Sequence, residues 1–329
     1  SENRQRPFSG VVATDDSTVE LGSRVAQSLG LPHNPPSAAR LSQRKDLSRQ
    51  ALAAAAVPVP DFRVIDLAAP VGPQLEGVAL PCVVKPLALS ASRGVIRADT
   101  LTGLQAACAR VQAILAAEPV GDTWVSSHLL LESFVSGPEV AVEGLLQHGV
   151  LEVLAIFDKP DPLDGPYFEE TYYITPSRHA VALQQQIVAC VQAACVGLGL
   201  REGPVHAELR IAPAGCVILE VASRTIGGEC ARLLGLGTGH SLEELVIAHA
   251  TGRSLEIVPQ AGGAGVLMIP IPVAGVLRRV EGIAAARAVP YVEDVMISLR
   301  DGYELVPLPE GASYLGFMFA RAPSSAQAE

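Results

Sequence analysis

One segment constrains this chain more than any other. From Pro204 to Arg224 it reads Pro-Val-His-Ala-Glu-Leu-Arg-Ile-Ala-Pro-Ala-Gly-Cys-Val-Ile-Leu-Glu-Val-Ala-Ser-Arg, two alternating runs about a Pro-Ala-Gly turn. That pattern predicts a β-hairpin. A turn centred on Ala214 sets Glu208 opposite Glu220 and His206 opposite Ala222. Strand period two then gathers Ala207, Leu209, Ile211, Val217, Leu219 and Val221 on one face. His206, Glu208, Arg210, Glu220 and Arg224 project from the other. Directly opposed carboxylates repel, and a hard divalent cation held by their oxygens and by water removes the conflict. The alternative is a solvated face on which Arg210 and Arg224 neutralise the glutamates. A slip of one residue would part the two carboxylates altogether.

Around the hairpin the chain alternates strands and helices. A short strand is expected over 10–13, after a frayed start at 1–10, with a helix over 18–29 closed by Gly30. A single Ala- and Leu-rich helix is expected over 38–56. Strands follow over 62–66, 79–85 and 94–97, then a helix over 101–117 with Asp99 or Thr100 as its N-cap. Strands over 129–134, 139–147 and 151–157 precede a polar, Pro-rich stretch, 158–178, with little regular pattern. A helix over 181–196, ended by Gly197 and Gly199, carries Ile187, Val191, Ala194 and Leu198 on one stripe. Another helix covers 241–250, and 263–320 reads as a small separate α+β unit.

Composition narrows the class. Hydrophobic residues are 49% of the 329 and charged residues 18%, enough to bury a core. A formal net charge of −10 argues against generic binding to nucleic acid or an anionic membrane. No apolar run reads as a membrane span and no start as a signal peptide. The six cysteines include no C-x-x-C pair, which fits buried free thiols in a reducing cytoplasm. Gly235-Leu-Gly-Thr-Gly239 follows a helical pattern rather than a strand, so it is not read as a dinucleotide fingerprint.

Several motifs occur in a telling order. Arg44-Lys-Asp46 lies on a helix before a Pro-rich break, and Cys82-Val-Val-Lys-Pro86 ends a strand that leads into Ser90-Ala-Ser-Arg-Gly-Val95. Leu131-Glu-Ser-Phe-Val-Ser-Gly-Pro-Glu-Val140 follows, then the acidic hairpin, then Arg224-Thr-Ile-Gly-Gly228. This order resembles the ATP-grasp superfamily. The hairpin and the loop Asp158-Lys-Pro-Asp-Pro-Leu-Asp-Gly-Pro-Tyr-Phe-Glu-Glu170 are similar to the branch holding bacterial L-amino-acid ligases and carnosine synthase.

The resemblance implies an α/β fold of α+β character, with two subdomains clasping ATP. The expected divisions are a truncated Rossmann-like piece over 1–50 and a small ATP-grasp subdomain over 51–125. A central subdomain with the metal site covers 126–255, and a small C-terminal α+β unit covers 256–329. Lys45 and Lys85 would hold phosphates, and Ser90, Ser92 and Gly94 would belong to the loop that covers them. Glu132 with the backbone of Phe134 and Val135 would read adenine, and Glu139 the ribose. Glu208 and Glu220 would carry Mg²⁺ or Mn²⁺, and Arg224 would be the catalytic arginine. His206, Gly227, Gly228 and Glu170 would meet the substrates. The family often places Asn two residues after the second metal carboxylate. Here that position is Ala222, with His206 or water as its expected substitute.

The implied function is a cytoplasmic ATP-dependent ligase joining a small-molecule carboxylate to an amine through an acyl phosphate, with a dipeptide-type product. Neither nucleic acid nor membrane is an expected partner, and a homodimer is compatible. A purine-pathway or carbamoyl-phosphate-type ligase, or a nucleotide-binding module without ligase activity, are the alternatives. The 158–178 stretch is expected to be a lid, with Glu169 or Glu170 receiving the amine.

Overall fold

The protein was analysed as a computed structural model describing residues 7–118, 121–258 and 261–329. Its fourteen labelled strands form two main sheets and a two-stranded ribbon. The first main sheet contains β1 (Phe62–Asp66), β2 (Cys82–Pro86), β3 (Ile96–Ala98) and β4 (His128–Ser133), in the order β1-β4-β2-β3. Helix Leu101–Ala116 covers it, with Thr100 as N-cap accepting from the Gly103 N–H at 3.0 Å.

The second sheet runs β12-β14-β10-β7-β6-β5-β8-β9. Its members are β5 (Glu139–Gln147), β6 (Val150–Lys159), β7 (Tyr172–Thr175), β8 (Gly203–Ala212), β9 (Gly215–Ala222), β10 (Gly263–Ile269), β12 (Val292–Ile297) and β14 (Gly316–Ala322). The ribbon pairs β11 (Gly275–Val276) with β13 (Glu304–Leu305).

Strand β5 shows why the fold has three layers here. All but its last residue are buried. Val140, Val142 and Leu146 join one core with helix Val181–Leu198, whereas Ala141 and Leu145 join another with Leu233, Leu245, Met268 and Phe319. A strand apolar on both faces must lie between two layers.

Several expectations are corrected. Residues 10–13 form no strand, and residues 1–6 of the expected frayed start lie outside the described residues. The expected helix over 38–56 is two, Pro36–Gln43 and Lys45–Ala54, parted by an extended Arg44 whose guanidinium grips Asp46 twice at 2.9 Å. The 158–178 stretch contributes β7, which pairs with β10. Residues 263–320 are not separate from the central unit, because β10, β12 and β14 extend its sheet. Nor does the first subdomain close at 125, since β4 lies between β1 and β2.

Gly197 does not end the long helix. A Cβ there would stand 2.9 Å from the Ala55 Cβ, so glycine lets two helices touch, and Gly199 (φ +75) makes the cap. This helix, Val181–Leu198, is by length and composition apolar enough to cross a membrane, contrary to the reading of the sequence. Its Ile187, Val191, Ala194, Cys195 and Leu198 stripe lies in the core instead. All six cysteines are free.

Candidate active site

A cavity of about 360 Å³ opens between the two main sheets. Its floor follows from strand pairing. Lys159, Glu139 and Arg210 stand side by side on β6, β5 and β8. The next row is Phe157, Ala141, Glu208 and Glu220, and Glu143, His206 and Ala222 form the third. Paired residues share a sheet face, so four strands deliver four carboxylates, a lysine, an arginine and a histidine to one side.

The hairpin register is as expected at its chemical end and different near its turn. Glu208 pairs with Glu220, but Leu209 pairs with Ile218, leaving Leu219 as a bulge. The bulge turns Leu219 toward the cavity and puts Ile218 and Cys216 in the core, correcting the apolar face drawn from strict alternation. The Leu219 carbonyl, freed from the ladder, accepts from the Arg49 guanidinium.

Arg49 links this bulge to β4. Its Nε lies 2.5 Å from Glu132 Oε1, and Lys85 Nζ lies 2.6 Å from Glu132 Oε2. Burial raises the Glu132 carboxyl, but the two cations outweigh it and hold the group at about 2. Glu132 therefore orients Lys85 rather than standing free to read a base. Lys45 Nζ reaches the Leu89 carbonyl at 3.0 Å and Glu220 at 3.5 Å.

Ser90, Ala91 and Ser92 line the cavity, with Ala91 (φ 53) and Ser92 (φ 55) left-handed. Gly94 does not line it, because its N–H is turned to the Pro309 carbonyl at 2.9 Å. The Phe134 N–H is likewise taken by the Pro81 carbonyl at 3.0 Å. The Val135 N–H has no partner among the described residues, while its carbonyl accepts from Arg210 at 2.8 Å.

At the other end Lys159, not singled out in the sequence, sits among three carboxylates. Its Nζ donates to Glu139 at 2.8 Å, Glu170 at 2.7 Å and Glu208 at 2.8 Å. Glu139 is also bound by Arg210 Nε at 3.0 Å. Burial outweighs Lys159 at Glu170 and pushes it up to about 7, with Glu208 alongside. Glu208 itself goes down despite burial, held by Lys159 and His206.

Glu143 is a second residue missed. Fully buried, it accepts the Ile226 N–H at 3.2 Å and lies 3.4 Å from His206 Nδ1, while His206 Nε2 lies 3.5 Å from Glu208. Burial opposes protonation of His206, but the two carboxylates prevail and raise it to about 9. Its two ring nitrogens face Glu143 and Glu208. Arg224, Gly227, Gly228, Glu170 and Tyr173 line the same end. Gly228 (φ +64) has no room for a Cβ, which would meet Met268 Sδ at 2.8 Å.

The long loop is anchored, since Lys159 and Glu170 lie in the carboxylate cluster and β7 in the sheet. Removing it would therefore take away a strand of the sheet.

The ATP-grasp domain family matches residues 78–232, and L-amino acid ligase C-terminal domain 2 matches 267–329. The first match spans the Lys85 strand, both strands of the acidic hairpin and the Arg-Thr-Ile-Gly-Gly loop around the cavity. Residues 78–232 are an ATP-grasp domain.

Its ATP-grasp fold is similar to that of the L-amino acid ligase from Bacillus licheniformis, with TM-score 0.80 and 28% identity over 99% of this chain and 78% of that one. The uncharacterized protein y4rH of Sinorhizobium fredii is 28% identical over 98% of this chain. Carnosine synthase 1 of Homo sapiens is 28% identical over 75% of it. The chain spans 66% of the length of y4rH and 31% of that of the carnosine synthase. Within the ATP-grasp frame, every site residue expected from the sequence except Gly94 lines the cavity. Asp16 is an addition to the lining, while Lys159, Glu143 and Arg49 are ion-pair partners of lining residues.

Proposed function

We propose that this protein is an ATP- and Mg²⁺-dependent carboxylate–amine ligase with a dipeptide-type product. The observation that carries the reading is the pairing of Glu208 with Glu220 on the floor of a cavity shared with Lys45, Lys85 and Arg224. The donor set suits a hard cation bound with phosphates: two carboxylates on one face, with Lys45 beside Glu220 and Lys85 lining the same cavity. Glu208 and Glu220 would hold Mg²⁺, which when bound neutralises phosphate oxygens and draws electrons from the transferred phosphorus. Ala222, buried and without a donor side chain, leaves these two glutamates as the hairpin's contribution.

Lys45 and Lys85 bind phosphate, and Ser90 and Ser92 cover it with hydroxyl and backbone groups. The Val135 N–H is the open donor for the adenine edge. A substrate carboxylate oxygen attacks the γ-phosphorus as the bond to ADP breaks, and Arg224 stabilises the charge on the transferred group. The amine then attacks the acyl carbon and inorganic phosphate leaves, with Gly227 and Gly228 offering backbone N–H groups to the acyl oxygen. Glu170 receives the ammonium at the mouth of the carboxylate cluster. Six free thiols fit a reducing compartment for this chemistry.

The test is ADP release from MgATP with pairs of amino acids, with the product identified by mass spectrometry. Amide and ADP in equal amounts support the reading. Binding of MgATP without ADP release for any acid and amine pair would leave a nucleotide-binding module instead, and no binding of MgATP would remove both.

A further inference from the structure

The N-terminal segment reaches the cavity through Thr14, Asp15 and Asp16. Asp16 opens a short turn, Asp16–Thr18, that runs directly into helix Val19–Leu29. Asp15 caps that turn by accepting the Ser17 N–H at 2.8 Å, and Thr18 bonds back to the Asp15 carbonyl at 2.9 Å. The turn is therefore fixed in place, and the Asp16 carboxylate with it.

That carboxylate meets the arginine of the Arg-Thr-Ile-Gly-Gly loop. Arg224 Nη2 lies 2.9 Å from Asp16 Oδ2, and Nη1 donates to the Thr225 carbonyl at 2.9 Å. Both side chains border the cavity, Asp16 26% exposed and Arg224 16%. Arg224 also feels the attraction of Glu220 and Glu208, after that of Asp16. One guanidinium thus has three carboxylates to choose from, and two of them are the residues assigned above to the metal.

We infer that Asp16 is a positioning residue that draws Arg224 away from Glu220 and Glu208, so that the guanidinium does not add to Lys45, Lys159 and His206 in competing with the divalent cation for their oxygens. The inference rests on the metal assignment proposed above. Without Asp16 the guanidinium is released toward the acidic floor, where an Arg–carboxylate pair competes with the cation for the same oxygens. The segment before the helix is then part of the active site, separated from the arginine it controls by most of the ATP-grasp domain.

The experiment is a titration of Mn²⁺ in the presence of ADP, followed by electron paramagnetic resonance, on the whole chain. Asp16→Asn should weaken Mn²⁺ binding about tenfold, the scale of one charge-assisted contact. Asp16→Asn combined with Arg224→Gln should recover wild-type affinity, which damage to the fold would not do. Wild-type affinity in Asp16→Asn overturns the inference while leaving the metal assignment intact; absence of Mn²⁺ binding to the wild type overturns the metal assignment. A crystal structure of Asp16→Asn decides the arginine's part on its own. Arg224 should contact Glu220 or Glu208 there, and an Arg224 unmoved from its present place would sink the idea whatever the titration gives.

Discussion

Two buried clusters in this protein use the same ingredients in opposite proportion. Around Glu132 a single carboxylate faces two cations, Arg49 and Lys85. Around Lys159 a single ammonium faces three carboxylates, Glu139, Glu170 and Glu208. Burial raises the carboxyls in both places, yet Glu132 falls to about 2 while Glu170 climbs to about 7. Burial sets the penalty and the local balance of charge sets the sign. The first cluster is a rigid brace between the hinge strand and the hairpin bulge. The second has Arg210 on Glu139 and His206 beside Glu208 as further cations, and Glu170 has Lys159.

The largest effect should come from breaking the cation-rich cluster. Glu132→Ala leaves Arg49, 1% exposed, without its counter-charge, and should cost about 3–5 kcal/mol in urea denaturation at neutral pH. Acid should give no relief, because a guanidinium does not surrender its proton. In the wild type the same carboxyl, about 2 when folded against an ordinary 4.5, gives stability that is present above 4.5 and lost as pH falls toward 2.

The carboxylate-rich cluster should respond differently. Lys159→Met should cost roughly 2–4 kcal/mol at neutral pH, and less as the pH is lowered, because protons can stand in for the missing ammonium. A loss independent of pH would break the contrast between the clusters. His206, raised to about 9 by Glu143 and Glu208 against burial, extends the test to alkali. Its stabilisation is full below the ordinary histidine value and is lost as pH rises through about 9. His206→Gln should therefore remove roughly 1–3 kcal/mol near neutrality and flatten the alkaline limb of a stability profile.

The smallest effect belongs to a solvated counterpart. Arg110 grips Glu310 at 2.6 and 2.9 Å between the first sheet's helix and the C-terminal segment, with both side chains about two-fifths exposed. Glu310→Gln should change stability by less than about 1 kcal/mol, and that little should fade in salt.

How much of this was legible in the sequence depends on distance along the chain. Strands β1 and β5, the capped helix after Thr100 and the long helix closed by Gly199 follow from local pattern. So does the acidic pair, whereas the lysines and the glycine loop were singled out by the order of motifs that resembles the ATP-grasp superfamily. Lys159 was hidden by its neighbours: Asp158-Lys-Pro-Asp-Pro reads as loop, yet β6 carries two of those residues into the buried sheet. Glu143 lies inside a strand that reads as core, where a carboxylate gives no sign of its partners. Asp16 and Arg49 are helix-entry and helix residues whose partners, Arg224 and Glu132, lie far along the chain.

The sequence by itself determined one hairpin, around Pro213-Ala-Gly215 with an acidic face, and two strands flanking His148-Gly149 that the structure pairs as a second hairpin. Only the tertiary structure decided which side chains those hairpins present together. Each contains one bulge, at Leu154 in β6 and at Leu219 in β9. Carried from its turn without the bulge, the hairpin around His148-Gly149 would pair Glu139 with Asp158 and turn Lys159 to the other face; the acidic one would pair Glu208 with Leu219. A bulge adds one residue to one strand, and one residue reverses the face of everything beyond it. At β9 its freed carbonyl is taken by Arg49, which is itself held by Glu132 from another sheet. Alternation is a property of the local chain, but the place where it is interrupted is fixed by partners that only folding brings near.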